Sequence, residues 1–280
     1  MHASVTRVLI IDEDVFAAEA MLLLLARDAR TRVVGQVTPA GLPGWKGEAD
    51  LVILGSAGPV WDAALLATAE SLAGLSPRPC FICTCTRLDN HMLSHLARQP
   101  HFAGCLLKAE VGYGLVSAVC LAAGGYCVLT PGLRDQLDRT LFSRRTLLIG
   151  PNRYQGLHRG YSHNALEVLK LALLHNLSQY EISNELVLAE SYIAQVISQG
   201  YNDLGIPDLV NGEVTLEELF SDQFLDNQLL IHQFGELTHN LLGMLERRSQ
   251  GLRSPRFRNM GTLAYHLLTI PAISEWQQTG

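Results

Sequence analysis

The sequence predicts an α/β domain followed by an all-α remainder, and three observations predict it. Short apolar runs alternate with helical patterns over roughly the first 125 residues. From residue 161 onward every pattern is helical. Between the two lies a stretch punctuated by Pro131, Gly132, Gly150 and Pro151, which reads as a linker.

Five runs have strand character. Arg7–Ile11 (RVLII) ends in acids, Arg32–Val37 follows, and Asp50–Leu54 (DLVIL) is apolar throughout after its first residue. Pro79–Thr84 and Gly104–Leu107 complete the set. Residues 14–29, 60–75 and 110–123 carry helical patterns, the last closed by Gly124-Gly125. Strands alternating with helices imply a parallel sheet covered on both faces. Five such strands suit a flavodoxin-like, doubly wound domain with a five-stranded parallel sheet. The expected division is 1–133 for this domain, 134–160 for the linker, 161–206 for a compact helical domain and 207–280 for a helical C-terminal extension.

The chain has 280 residues, of which 48% are hydrophobic, so it can bury real cores and is not a disordered polymer. Its net charge of -6 is the opposite of a strongly basic nucleic-acid binder, so any DNA contact must come from a local patch. No apolar run reaches the roughly 18 residues that a membrane span needs. The N-terminus lacks a secretory pattern, and a cytoplasmic location is expected. All six cysteines fall between Cys80 and Cys127. Strand alternation sends Cys80 to the face opposite Cys83 and Cys85, so the C-x-x-C-x-C run is expected to pack as small apolar residues and to hold no metal.

In an open parallel sheet, chemistry gathers at the carboxyl ends of the strands. Those ends carry Asp12-Glu13-Asp14, Gly55-Ser56, Thr84 and Lys108. Two acids, a hydroxyl and a lysine at one edge would suit a hard cation and a phosphoryl group. These residues resemble the receiver domain of response regulators over roughly residues 5–133. RVLIIDED resembles the first strand with its metal-binding acids, matched by Asp12 and Glu13. FICTC places Thr84 at the family's hydroxyl position, and GCLLKA places Lys108 at its phosphate-contacting lysine. The phosphoacceptor aspartate is replaced by Gly55, which has no side chain to attack a phosphoryl donor. Ser56, one residue on, is expected to point to the other face. Cys105 stands where the family usually has the aromatic switch residue. The resemblance therefore implies a pseudo-receiver. Asp12, Glu13, Thr84 and Lys108 are then either structural remnants, with Lys108 pairing the acids, or a pocket that still takes a small anion or metal.

Residues 161–206 resemble a LuxR/NarL-type helix-turn-helix domain without a gap, through Glu167-Val168-Leu169, Leu177-Ser178, Glu181-Ile182, Leu186, Leu188, Glu190, Ile193, Ile197 and Leu204-Gly205-Ile206. Ile193, Ile197 and Leu204 share one helical face. The recognition helix, expected over 190–203, contains no Lys or Arg. Lys170 is the one basic residue of the domain, against Glu167, Glu181, Glu185, Glu190 and Asp203. Phosphate neutralisation supplies most non-specific affinity, so this module alone should bind DNA poorly. Ser191, Tyr192, Gln195 and Gln199 are the residues expected to face DNA, with the glutamines suited to adenine edges. Tyr192 and Val196 form an i, i+4 pair that either faces outward as a protein-binding surface or packs against the C-terminal segment.

Beyond residue 206, Leu216, Phe220, Phe224, Ile231, Phe234, Leu241 and Leu245 recur at mostly helical spacing. Residues 247–258 (RRSQGLRSPRFR) hold five arginines and no acid, and a last helix is expected from Gly261 to Ile270. Read as a loop, the basic stretch offers Arg253, Arg256 and Arg258 to a phosphate backbone. The resulting expectation is a DNA-binding transcription regulator independent of phosphorylation, acting as a homodimer, without cofactor. It is not expected to be an enzyme, since no nucleophile–base pair stands out. The alternative is a protein-interaction regulator that binds a partner through the recognition helix or the C-terminal extension and does not bind DNA directly.

Overall fold

The computed structural model describes residues 5–28, 30–56, 63–87, 90–136, 145–152, 154, 157, 160–215, 218–219 and 256–276. The chain divides into two compact units. One comprises residues up to 151 together with residues from 271 on, and the other residues 152–270.

The first unit is built on a sheet with strand order β2-β1-β3-β4-β5-β6-β7-β8. Its strands are β1 (Thr6–Ile11), β2 (Thr31–Val37), β3 (Leu51–Gly55), β4 (Cys80–Cys85), β5 (Phe102–Leu107), β6 (Cys127–Leu129), β7 (Thr146–Asn152) and β8 (Pro271–Glu275). Pairing from β2 through β7 is parallel. The 2-1-3-4-5 portion is the order of a flavodoxin-like, doubly wound sheet, the fold class expected from the sequence. The sheet has eight strands where five were expected. Two of the added strands lie in segments expected to be a linker and a purely helical tail.

Both faces of the central strands are buried. Leu9, Ile11, Val52, Leu54, Phe81, Cys83, Cys85, Cys105 and Leu129 join one core cluster. The intervening Val8, Ile10, Leu51, Ile53 and Ile82 are equally enclosed. The covering helices are α1 (Val15–Ala26), α2 (Ala63–Ser71), α3 (Asn90–Ala97), α4 (Lys108–Val111) and α5 (Leu115–Ala123). Helix α3, absent from the sequence expectation, buries Leu93 and Leu96. Asp14 caps α1, its carboxylate accepting from the Phe16 and Ala17 amides at 3.0 and 3.1 Å.

The strand β8 returns the C-terminal end of the chain to the sheet. The Trp276 amide donates to the Thr146 carbonyl at 3.0 Å. Gly150 lies beside Ala272, whose carbonyl oxygen would be 3.3 Å from a Cβ there. As the residue number rises along β7 it falls along β8, so this pair is antiparallel. Arg145 grips Glu275 through two parallel bonds of 2.9 and 3.0 Å, and Trp276 is buried in the same cluster as Leu148 and Leu129.

The second unit contains α6 (His163–Leu169), a wide π turn (Lys170–Leu174), α7 (Gln179–Leu186), α8 (Glu190–Asp203), α9 (Ile206–Asn211) and α10 (Arg256–Thr269). Ile182, Ile193, Val196, Ile197, Leu204, Leu209, Leu263 and Leu267 are among its buried residues. Gly200 lets α8 approach α6, because a Cβ there would come within 2.5 Å of the Leu169 side chain. A reciprocal capping box opens α7: Ser178 Oγ accepts from the Glu181 amide at 3.3 Å, and Glu181 accepts from the Ser178 amide at 2.7 Å. That amide and the Ser178 hydroxyl hold the Glu181 carboxyl below its usual range. The cap is therefore in place at neutral pH and is lost as pH falls through that lowered value. Helix α10 begins at Arg256, five residues before the expected Gly261, so the end of the basic stretch is helical. Most of the pattern expected over 215–249 lies outside the described residues.

Helix α7 ends on Val187, which adopts a left-handed conformation with φ 53° and is 89% exposed. A β-branched side chain there costs about 1–2 kcal/mol and gains no burial in return. Val187→Asn is expected to raise stability by about 1 kcal/mol, measured by urea denaturation. A lower stability for the variant would show that the valine side chain is held by contacts its exposure does not reveal.

Candidate functional site

Asp12 follows β1, Gly55 ends β3, Thr84 lies in β4, and Lys108 opens α4 directly after β5, so parallel pairing brings them to one edge of the sheet. The Asp12 carboxylate is fully enclosed. One oxygen accepts from the Asp14 amide at 2.9 Å, and the other from Lys108 Nζ at 3.2 Å. Lys108 Nζ also donates to the Ser56 carbonyl at 2.9 Å. The Ser56 amide in turn donates to the Thr84 carbonyl at 3.0 Å.

Gly55 gives this edge its character. A Cβ at that position would lie 1.9 Å from Asp12 Oδ2 and 2.5 Å from Asp12 Cγ. The aspartate side chain thus fills the volume that a side chain at position 55 would need. Lys108, the nearest cation at this edge among the described residues, is paired with Asp12. Glu13 is exposed and takes no part in this pair. The Thr84 hydroxyl is buried and has no hydrogen-bond partner among the described residues. Among those residues, no group of three or more His, Cys, Asp or Glu side chains is placed to hold a metal. The arrangement offers a neutral, hydrogen-bonded ion pair and no nucleophile at position 55.

Cys105 sits at the centre of β5, wholly buried, with its sulfur 3.8 Å from that of Cys85. The bond with Cys85 and burial push its thiol well above the usual range, and burial does the same to Cys83. Protonated, enclosed thiols are poor nucleophiles, so these cysteines serve as core. Cys80 lies apart from them, directed at the Asp50 and Ala122 carbonyls at 3.5 and 3.9 Å.

On α8, Ser191, Gln195, Ser198, Gln199 and Asn202 are exposed, bounded by exposed Glu190 and Asp203. Gln199 donates to Asp203 at 2.7 Å, and the Tyr161 hydroxyl also donates to Asp203. Desolvation, then the bond to Asp203, raises the Tyr161 phenol above its usual range. Of the expected DNA-facing residues, Ser191, Gln195 and Gln199 share this face, whereas Tyr192 is half-buried. Val196 is buried, which corrects the outward-facing Tyr192–Val196 pair: the second position completes the core beside Ile193 and Ile197. Arg253 lies outside the described residues. Arg256 and Arg258 fall in the first turn of α10.

No protein-family model matches the chain, and no curated protein does. Among solved structures the chain is similar to the response regulator ChrA of a heme-sensing two-component system. That match has 19% identity, covers 72% of this chain and 91% of that one, and has a TM-score of 0.37. It is also similar to RcsB from Salmonella enterica serovar Typhimurium bound to a promoter, with 16% identity, 71% and 91% coverage and a TM-score of 0.41. The isolated receiver domain of that RcsB matches at 17% identity, covering 48% of this chain and all of its own, with a TM-score of 0.40. By its own strands and helices, the chain joins an α/β unit of doubly wound order to a helix-turn-helix unit. No helix among the described residues is long and apolar enough to cross a membrane.

Proposed function

We propose that this chain is a cytoplasmic transcription regulator of the response-regulator type that binds DNA as a dimer and works without phosphorylation. The observation that carries this reading is the Asp12 carboxylate in the volume above Gly55, held there by Lys108. With that volume filled, the edge has neither an acceptor nor room for one. DNA contact falls to the exposed Ser191, Gln195 and Gln199 face together with Arg253, Arg256 and Arg258. Because α8 brings no cation, the arginines supply the phosphate contacts.

The test is promoter-fragment binding by the full chain over a salt series. The Arg253/Arg256/Arg258→Ala variant is expected to flatten the slope of log affinity against log salt by up to about 3. Absence of salt-dependent binding to any DNA sinks the DNA-binding reading, and stable labelling by acetyl phosphate sinks phosphorylation independence. A second reading, a regulator acting through protein contact, is favoured by the acid-bounded face of α8, where Gln199 is already engaged by Asp203.

A further inference from the structure

Helix α3 is anchored on one face and carries a pair of imidazoles on the other. Leu93 and Leu96 are wholly enclosed, whereas His91 and His95 are exposed. The two histidines stand four residues apart, and positions i and i+4 lie one above the other on a helix face. Their ring centroids are 4.7 Å apart, with the planes tilted by 58°. Two histidines at this helical spacing are a pair with which proteins grip a transition metal.

We propose that His91 and His95 form a two-ligand surface site for a divalent late transition ion, Cu(II) or Ni(II). A nitrogen–metal bond of about 2.0–2.1 Å adds to roughly 1.1–1.2 Å from that nitrogen to its ring centre. Two coordinated rings then stand about 4.5 Å apart at a 90° angle and about 5.2 Å apart at the tetrahedral angle. The 4.7 Å spacing lies nearer the first value, the cis geometry of tetragonal Cu(II) and Ni(II), than that of tetrahedral Zn(II). Coordination uses one nitrogen of each ring and leaves the other for a hydrogen bond within the chain, as is usual for metal-bound histidine. Among the described residues, no third His, Cys, Asp or Glu joins the pair. Water therefore fills the remaining positions, and the ion exchanges readily. Met92, Leu93 and Ser94, the residues between the two ligands, supply no general base, so the site binds metal without hydrolytic chemistry. Because Leu93 and Leu96 anchor the helix, the rings are brought together before the ion arrives. The unfolded chain does not hold them so, and binding stabilises the α/β unit. This site goes beyond the DNA-binding reading and does not depend on it.

Isothermal titration of the full chain with nickel chloride tests this, with the other histidines giving a background common to parent and variants. His91→Ala and His95→Ala are each expected to weaken binding at least about tenfold. The double variant is expected to lose no more than either single one, since a chelate needs both rings. Both side chains are exposed, so metal-free melts of the variants are expected to match the parent, and Ni(II) to raise Tm most in the parent. If a metal-free melt shifts, His91→Gln and His95→Gln repeat the comparison with a polar side chain in place. Losses that add in the double variant mean two independent histidines and overturn the chelate. Binding by the parent no tighter than by the double variant overturns the site outright.

Discussion

Replacing Lys108 with methionine is expected to lower the stability of the sheet unit by about 2–4 kcal/mol. Asp12 is fully enclosed, and Lys108 is the one cation paired with it among the described residues. Without the ammonium, a carboxylate stays buried with a single amide donor, and the Ser56 carbonyl loses the lysine as donor. Such an uncompensated charge is among the most damaging local changes a core can suffer. The lysine is 26% exposed, so the effect falls below that of a wholly enclosed pair. Adding Asp12→Asn to the same chain is expected to recover most of the loss, because the amide carries no charge to desolvate. Urea denaturation of the single and double variants measures both. A Lys108→Met chain as stable as the parent would mean that the pair does not hold this edge closed.

Trp276→Ala is expected to cost about 3–5 kcal/mol, the range for emptying a core position of an aromatic ring. Trp276 is 7% exposed and packs in the main core cluster, and its amide is the bond that registers β8 on β7. For a unit of this size the loss corresponds to a fall in Tm of roughly 10 °C. Deleting residues 271–280 is expected to be worse, because it also removes Glu275 from Arg145 and leaves β7 as a bare edge. Differential scanning calorimetry reads both. A truncated chain with an unchanged transition would show that β8 lies on the sheet without stabilising it.

The elements legible in the sequence were those whose signal is local. The β1, β3, β4 and β5 runs are apolar enough to announce strands buried on both faces, and their alternation with helices implies a parallel, doubly wound sheet. The helix-turn-helix was legible through Ser178 and Glu181 at its capping box and through the spacing of Ile193 and Ile197. Helix α3 was missed because NHMLSHLA is short and its four apolar residues are interrupted by two histidines, a serine and an asparagine. Strand β7 was missed because Gly150 and Pro151 outweighed the three apolar residues before them. In β8 only Pro271 and Ile273, with Trp276 just beyond, point inward, a pattern too short to stand out.

The sequence by itself determined that position 55 has no side chain, that the strand edge carries an acid and a lysine, and that residues 190–203 hold no cation. Each of these is a property of residue identity, readable without a partner. Only the tertiary structure decided what fills the space beside position 55. Parallel pairing of β1 with β3 sets Asp12 over Gly55, and the end of β5 brings in Lys108, so the lysine's charge closes on a neighbouring carboxylate. The same holds for β8, whose strand character arises from an edge some 125 residues away along the chain. No local pattern records either outcome, because both depend on which distant backbone happens to lie alongside.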